Sequence, residues 1–159
     1  FNTINNIYAL ARMKSPKTAP VALKLANLLR YVTEAREKKM NPLLLTPVAR
    51  RKFDAAGNIE GTHDVYAQLV RDVAKENNVL LIDLDKKSQE LYQQMGVENS
   101  KLLFVQLKPG EHPNYPEGKE DNTHFSELGA RLIAQLVLKE LKSLGTELNE
   151  RILTPPVKK

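Results

Sequence analysis

Asp121-Asn122-Thr123-His124 places a carboxylate and an imidazole three residues apart, directly ahead of Phe125-Ser126-Glu127-Leu128-Gly129 and a strongly amphipathic run. A carboxylate so placed can accept the Nδ1 proton of the imidazole, fix its tautomer and stabilise the imidazolium. Nε2 is then left to take a proton from a nucleophile. Taken alone, the same string also suits a polar loop whose Asp121 or Thr123 satisfies the free amides of the next helix.

Other chemistry-bearing residues are few. Five serines (Ser15, Ser88, Ser100, Ser126 and Ser143) are the candidates for a nucleophile. None stands on the tight strand-to-helix turn that exposes one, and Ser126 reads as a helix cap, so no nucleophile is expected within this chain. Arg50 and Arg51 follow the C-terminal end of a predicted parallel strand, where open α/β sheets place ligand crevices. Their guanidinium groups suit a ligand carboxylate, although solvated loop charges or structural ion pairs would use the same residues. His63, beside Asp64, is a third candidate for substrate contact or else part of a helix cap. His63, His112 and His124 match no compact zinc spacing, and no phosphate-binding glycine motif occurs, so neither a metal nor another cofactor is expected.

These residues need elements to hold them. Apolar positions recur at helical spacing from Val21 to Lys39, with Leu23, Leu25, Ala26, Leu28, Leu29 and Val32 expected inward. Pro42 to Val48 and Val79 to Leu84 are short apolar runs without alternation, as in buried parallel strands. Between them a helix is expected to about Lys75, capped by Thr62 or Asp64, with Val65, Leu69, Val70 and Val73 inward. Another helix is expected from Lys86 to Met95, then a long loop from Gln106 to Asn122. Ser126 is expected to cap a final helix that buries Leu128, Leu132, Ile133, Leu136, Val137 and Leu141 and stops near Gly145. Strand, helix, strand in this order predicts an α/β layer fold.

The 159 residues, 42% of them hydrophobic, suffice for one substantial core. The net charge of +5 arises from 24 basic and 19 acidic residues that interleave, as in Glu34-Ala35-Arg36-Glu37-Lys38-Lys39. With only 4 Phe, 5 Tyr and no Trp, stacking platforms for nucleic acid are scarce, so no nucleic-acid partner is expected. A basic surface would rather steer an acidic polysaccharide. No run approaches the roughly 20 apolar residues of a membrane helix, so no membrane partner is expected. The chain starts at Phe1 with no leader pattern, which predicts a processed product or a fragment.

The string Asp121-x-x-His124-x-Ser126-x-x-Gly129, opening the last helix of an α/β chain, resembles the C-terminal block of the SGNH (GDSL-type) hydrolases. Leu45-Thr46-Pro47-Val48-Ala49-Arg50-Arg51-Lys52-Phe53 and Val79-Leu80-Leu81-Ile82-Asp83-Leu84 are similar to the rhamnogalacturonan acetylesterase family within it. The resemblance covers about residues 22–143. It implies a flavodoxin-like three-layer α/β/α fold with a parallel sheet, here lacking its N-terminal strands. Residues 1–159 would form a single partial domain, with 1–20 a loose lead-in and 146–159 a mobile tail.

The resemblance also implies Asp121 as triad acid and His124 as base. The family's serine lies in a Gly-Asp-Ser block, and its oxyanion donors include a later Gly and a Gly-x-Asn asparagine; none of these blocks is present. Asn5 or Asn6 stands roughly where the asparagine would, without its glycine. The implied activity is removal of acetyl groups from a pectin-type polysaccharide, rhamnogalacturonan, by a secreted or periplasmic enzyme without a cofactor. One alternative is a non-catalytic truncated hydrolase or carbohydrate-binding module. Another is an esterase or lipase for other acyl substrates. Two strands alone would leave an apolar edge, so residues 1–20, a missing N-terminal fragment or a second chain is expected to complete the sheet.

Overall fold

The computed structural model describes residues 19–152. The expectations for the lead-in through residue 18, including Asn5, Asn6 and Ser15, and for the tail from residue 153, lie outside the described residues. The chain divides into two units: one runs to Pro47 and resumes over His63–Asp85, and the other comprises Val48–Thr62 and everything from Lys86.

In the first unit, α1 (Ala19–Glu37) is followed by β1 (Leu43–Leu45), α2 (Asp64–Glu76) and β2 (Leu80–Ile82). β1 and β2 pair in parallel, Leu43 opposite Leu80 and Leu45 opposite Ile82. A helix between paired strands is what a parallel connection requires. α2 buries Ala67, Val70, Val73 and Ala74. Val65 lies on the opposite side of the helical wheel and is 63% exposed, which corrects its expected inward position. His63, rather than Thr62 or Asp64, occupies the N-cap position. Arg36 of α1 donates to the carbonyls of Asn77 at 2.8 Å and Asn78 at 3.1 Å, closing the far end of α2. Leu23 of α1, expected inward, is exposed, while Ala26 and Val32 are buried. Leu45 and Leu80 also remain substantially exposed.

An ionic cluster locks the strand ends of this unit. Arg71 donates to both oxygens of Asp83, each at 2.8 Å, and to Asp85 Oδ2 at 2.8 Å. The Thr46 hydroxyl donates to Asp83 Oδ1 at 3.1 Å and accepts the Asp85 amide at 2.7 Å. These carboxylates hold the Arg71 guanidinium above its already high pKa range, Asp83 contributing most.

The second unit contains all but the first two residues of α3 (Leu84–Asn99), whose helical backbone breaks at Gly96, and a 3-10 turn over Ser100–Leu103. β3 (Phe104–Leu107), β4 (Lys119–Phe125), α4 (Glu127–Ser143) and a further 3-10 turn over Glu147–Arg151 follow. β3 and β4 form an antiparallel ribbon where a long loop over Gln106–Asn122 was expected. The strand pattern is hidden because the ribbon's outer residues are polar and its ladder is irregular. Its tip is internally bonded: Gly110 donates to Pro116 at 2.8 Å and Tyr115 to His112 at 2.9 Å, both backbone bonds. Gly118 has φ 82°, and a Cβ there would lie 2.6 Å from the Leu107 carbonyl oxygen, so the ribbon turn requires glycine.

Tyr92, Leu103 and Phe104 are fully or almost fully buried in this unit. The Phe104 ring meets Tyr92 edge-on at 5.4 Å and Phe125 at 5.2 Å. Tyr92 donates its hydroxyl proton to the Ala49 carbonyl, and burial pushes its pKa up to about 12. α4 is capped by Ser126 as expected and ends before Gly145, which has φ 61°. Ile133 is buried, but Leu128 is 46% exposed against the expectation, because the first turn of α4 seats Gly129 instead. The described residues thus form a mixed α/β structure, in which β1 and β2 pair in parallel and β3 and β4 antiparallel.

Candidate active site

The ladder between β3 and β4 pairs Phe104 with Phe125 and Gln106 with Glu120, and its register shifts between these pairs. On β4 the four residues Asp121, Asn122, Thr123 and His124 therefore stand opposite the single residue Val105. The motif is a four-residue bulge. Bulges bend a strand locally and re-aim its side chains, and are frequent beside active sites. Gln106 on β3 pins this one by donating Nε2–H to the Asp121 carbonyl at 2.7 Å.

Within the bulge the two oxygens of Asp121 do different work. Oδ1 accepts the backbone amides of Thr123 at 2.7 Å and His124 at 2.9 Å, folding the chain into a tight Asx-type turn. Oδ2 meets His124 Nδ1 at 2.8 Å. The His124 amide, the His124 ring and the Thr123 amide, in that order, hold the Asp121 carboxyl well below the usual carboxylate range. An ionised carboxylate only accepts, so Nδ1 is the protonated ring nitrogen, and in the neutral ring Nε2 carries the lone pair. The Asp121 side chain is 13% exposed and the His124 side chain 79%, which leaves the basic edge open to a solute.

The bulge is anchored downstream by the start of α4. Ser126 donates its amide to the Leu103 carbonyl at 2.9 Å and its hydroxyl to the Leu102 carbonyl at 2.7 Å, while accepting the Gly129 amide at 3.2 Å. The free helix amides are thus served by Ser126 rather than by Asp121 or Thr123. Gly129 explains itself by contact: a Cβ there would lie 1.9 Å from the Leu103 carbonyl oxygen.

The remaining candidates fall as follows. Arg50 is exposed, and its amide donates to the Thr62 hydroxyl at 3.0 Å. Arg51 is bonded inward: Nε donates to Ser100 Oγ at 2.9 Å, Nη1 to Asn122 Oδ1 at 2.9 Å and Nη2 to the Val97 carbonyl. Its cation also lies over the Phe53 ring at 5.4 Å, and desolvation pulls its pKa down, partly offset by Glu98. His63 belongs to the other unit, where it precedes α2 and accepts the Ala67 amide on its carbonyl at 2.8 Å. Three of the four described serines are engaged in structural bonds besides the cap: Ser88 Oγ accepts the Ala49 amide, Ser100 binds Arg51, and Ser143 donates to the Glu140 carbonyl. Among the described residues no group of three or more His, Cys, Asp or Glu could hold a metal ion, and no helix is long and apolar enough to cross a membrane.

The sequence gives Asn122 and Gln106 no site role, and Ser100 enters it only as a nucleophile candidate. Only Gly129, a glycine in the first turn of an otherwise ordinary helix, carries a local signal of close approach.

The chain is 46% identical over 124 residues to the rhamnogalacturonan acetylesterase RhgT of Bacillus subtilis (strain 168), covering 78% of this chain and 53% of that protein. Over most of its length the chain resembles rhamnogalacturonan acetylesterases. A second match, to the probable rhamnogalacturonan acetylesterase YesY of the same strain, is 36% identical over 136 residues and covers 86% of this chain and 58% of that protein. The chain therefore spans somewhat over half the length of these two curated acetylesterases. No protein-family model matches it, and no solved structure does.

Proposed function

We propose that this chain supplies the acid–base half of a carbohydrate esterase that removes acetyl groups from rhamnogalacturonan, on an SGNH-type, flavodoxin-like three-layer fold. One observation carries the reading: the 2.8 Å contact of Asp121 Oδ2 with His124 Nδ1, beside an open imidazole edge, in a chain that resembles rhamnogalacturonan acetylesterases. In this reading Asp121 keeps Nδ1 protonated and His124 Nε2 removes the proton of a serine hydroxyl supplied from outside these residues. The serine oxygen attacks the acetyl carbonyl, and His124 returns the proton to the departing sugar oxygen. Water then repeats the cycle on the acetyl-serine and releases acetate. Arg50, exposed beyond β1, is the candidate contact for a uronate carboxylate. Such an enzyme would work outside the cytoplasm, where its polymer lies.

The reading to be separated from it is a non-catalytic carbohydrate-binding remnant. Fusing the chain to the portion of the 46%-identical relative that it leaves unmatched separates the two. The proposal predicts acetate release from acetylated rhamnogalacturonan in excess of that from acetylated xylan, with longer acyl esters hydrolysed least. A folded fusion that binds the polymer but releases no acetate would establish the remnant. Preference for long acyl chains would move the protein to another esterase class.

A further inference from the structure

Both ends of the Asp121–His124 bulge rest on one short segment, Val97–Leu103. Downstream, Ser126 is bonded to the carbonyls of Leu102 and Leu103. Upstream, contact runs through Arg51, whose guanidinium joins Val97 and Ser100 of that segment to Asn122 of the bulge. The Arg51 amide adds a 3.0 Å bond to the Asn122 carbonyl, so Asn122 is held at both its backbone and its side-chain oxygen by one residue. Ser100 is fully buried, and its hydroxyl also lies 3.3 Å from the Val97 carbonyl, which makes the base of this clamp rigid.

We infer that Arg51 is a positioning residue: by clamping Asn122 against Val97 and Ser100, it fixes the bulge in which Asp121 orients the His124 ring. Geometry supports this over a substrate contact. All three guanidinium nitrogens donate to protein acceptors in three directions, and such a planar fork cannot be matched by a lysine, which offers only a point charge. Asn122 lies between the two functional residues. A shift of its peptide would move the Thr123 and His124 amides that Asp121 Oδ1 accepts, and with them the Oδ2 that faces the ring.

The inference rests on Asp121 and His124 being an acid–base pair, but it can be tested without any ester. Nitrogen-15 NMR of the His124 ring in this chain reports the tautomer directly. In the native chain Nδ1 should be protonated and Nε2 bare. Asn122→Ala and Arg51→Met should move the ring toward the averaged tautomers of an unrestrained histidine, Arg51→Lys should do so in part, and Asn122→Asp, which keeps the acceptor oxygen, should restore the native signature. If Arg51→Met fails to fold, the two Asn122 variants decide. A native ring signature in folded Asn122→Ala would overturn the inference, even if the fused enzyme is active. In that fusion a positioning role predicts that Arg51→Lys lowers kcat, by up to about 10²-fold, with KM unchanged. A rise in KM alone would instead make Arg51 a substrate contact. Failure of the fused enzyme to release acetate would count against the proposed activity and leave the ring result standing.

Discussion

Two clusters among the described residues set carboxylates against a basic side chain, for opposite ends. In the first unit Arg71 is gripped by Asp83 and Asp85, and the side chains are 26%, 27% and 4% exposed. In the second, Asp121 grips His124 through one oxygen while the His124 side chain stays 79% exposed. The Arg71 cluster is inward-facing, and its cation stays charged at any pH the protein meets. The bulge cluster spends its fixed charge on orientation and presents a titratable nitrogen to solvent. Exposure of the basic partner, rather than the presence of an acid beside a base, separates a structural latch from a catalytic candidate.

Removing a cation is the sharpest way to break that comparison. Arg71→Met removes the cation that Asp83 and the buried Asp85 share and is expected to destabilise the fold by about 3 kcal/mol, read by urea unfolding. A change below about 1 kcal/mol would reduce the cluster to an ordinary solvated pair. A smaller effect, of about 1–3 kcal/mol, is expected for Gly129→Ala, because the added methyl must push the first turn of α4 off the Leu103 carbonyl. Thermal unfolding measures it, and a neutral substitution would mean that the bulge is not seated on that carbonyl.

The smallest effect concerns acid. The pKa of Asp121 is depressed in the folded chain, so the stability its ionised form contributes is fully present above the unfolded value of about 3.9. It is lost as pH falls through the lower folded value. Carboxyl carbon NMR should place the midpoint below the ordinary range. His124→Ala should raise it only part of the way, since the Thr123 and His124 amides remain as donors. A full return to the ordinary value would assign the whole depression to the ring.

The sequence made the helices and the parallel strands legible through periodicity and short apolar runs. It also pointed to the Asp121–His124 pair and to the cap of α4 through their order. Three things stayed hidden for physical reasons. The β3–β4 ribbon has a polar β4 and a four-against-one bulge, so no alternation marks it as a strand. Val65 was misplaced because the small Ala67 and Ala74 define the buried side of α2. The engagements of Arg51 and Arg71 join residues far apart in the chain, 71 positions in the case of Arg51 and Asn122, which no local spacing encodes.

The central claim is that His124 is the base of a deacetylation reaction. Its most direct test is acetate release from acetylated rhamnogalacturonan by the fused, nucleophile-bearing protein with and without His124→Ala. A loss of about 10³-fold or more in kcat, with thermal stability unchanged, is the predicted result. Acetate release that proceeds at the native rate without the imidazole would contradict it.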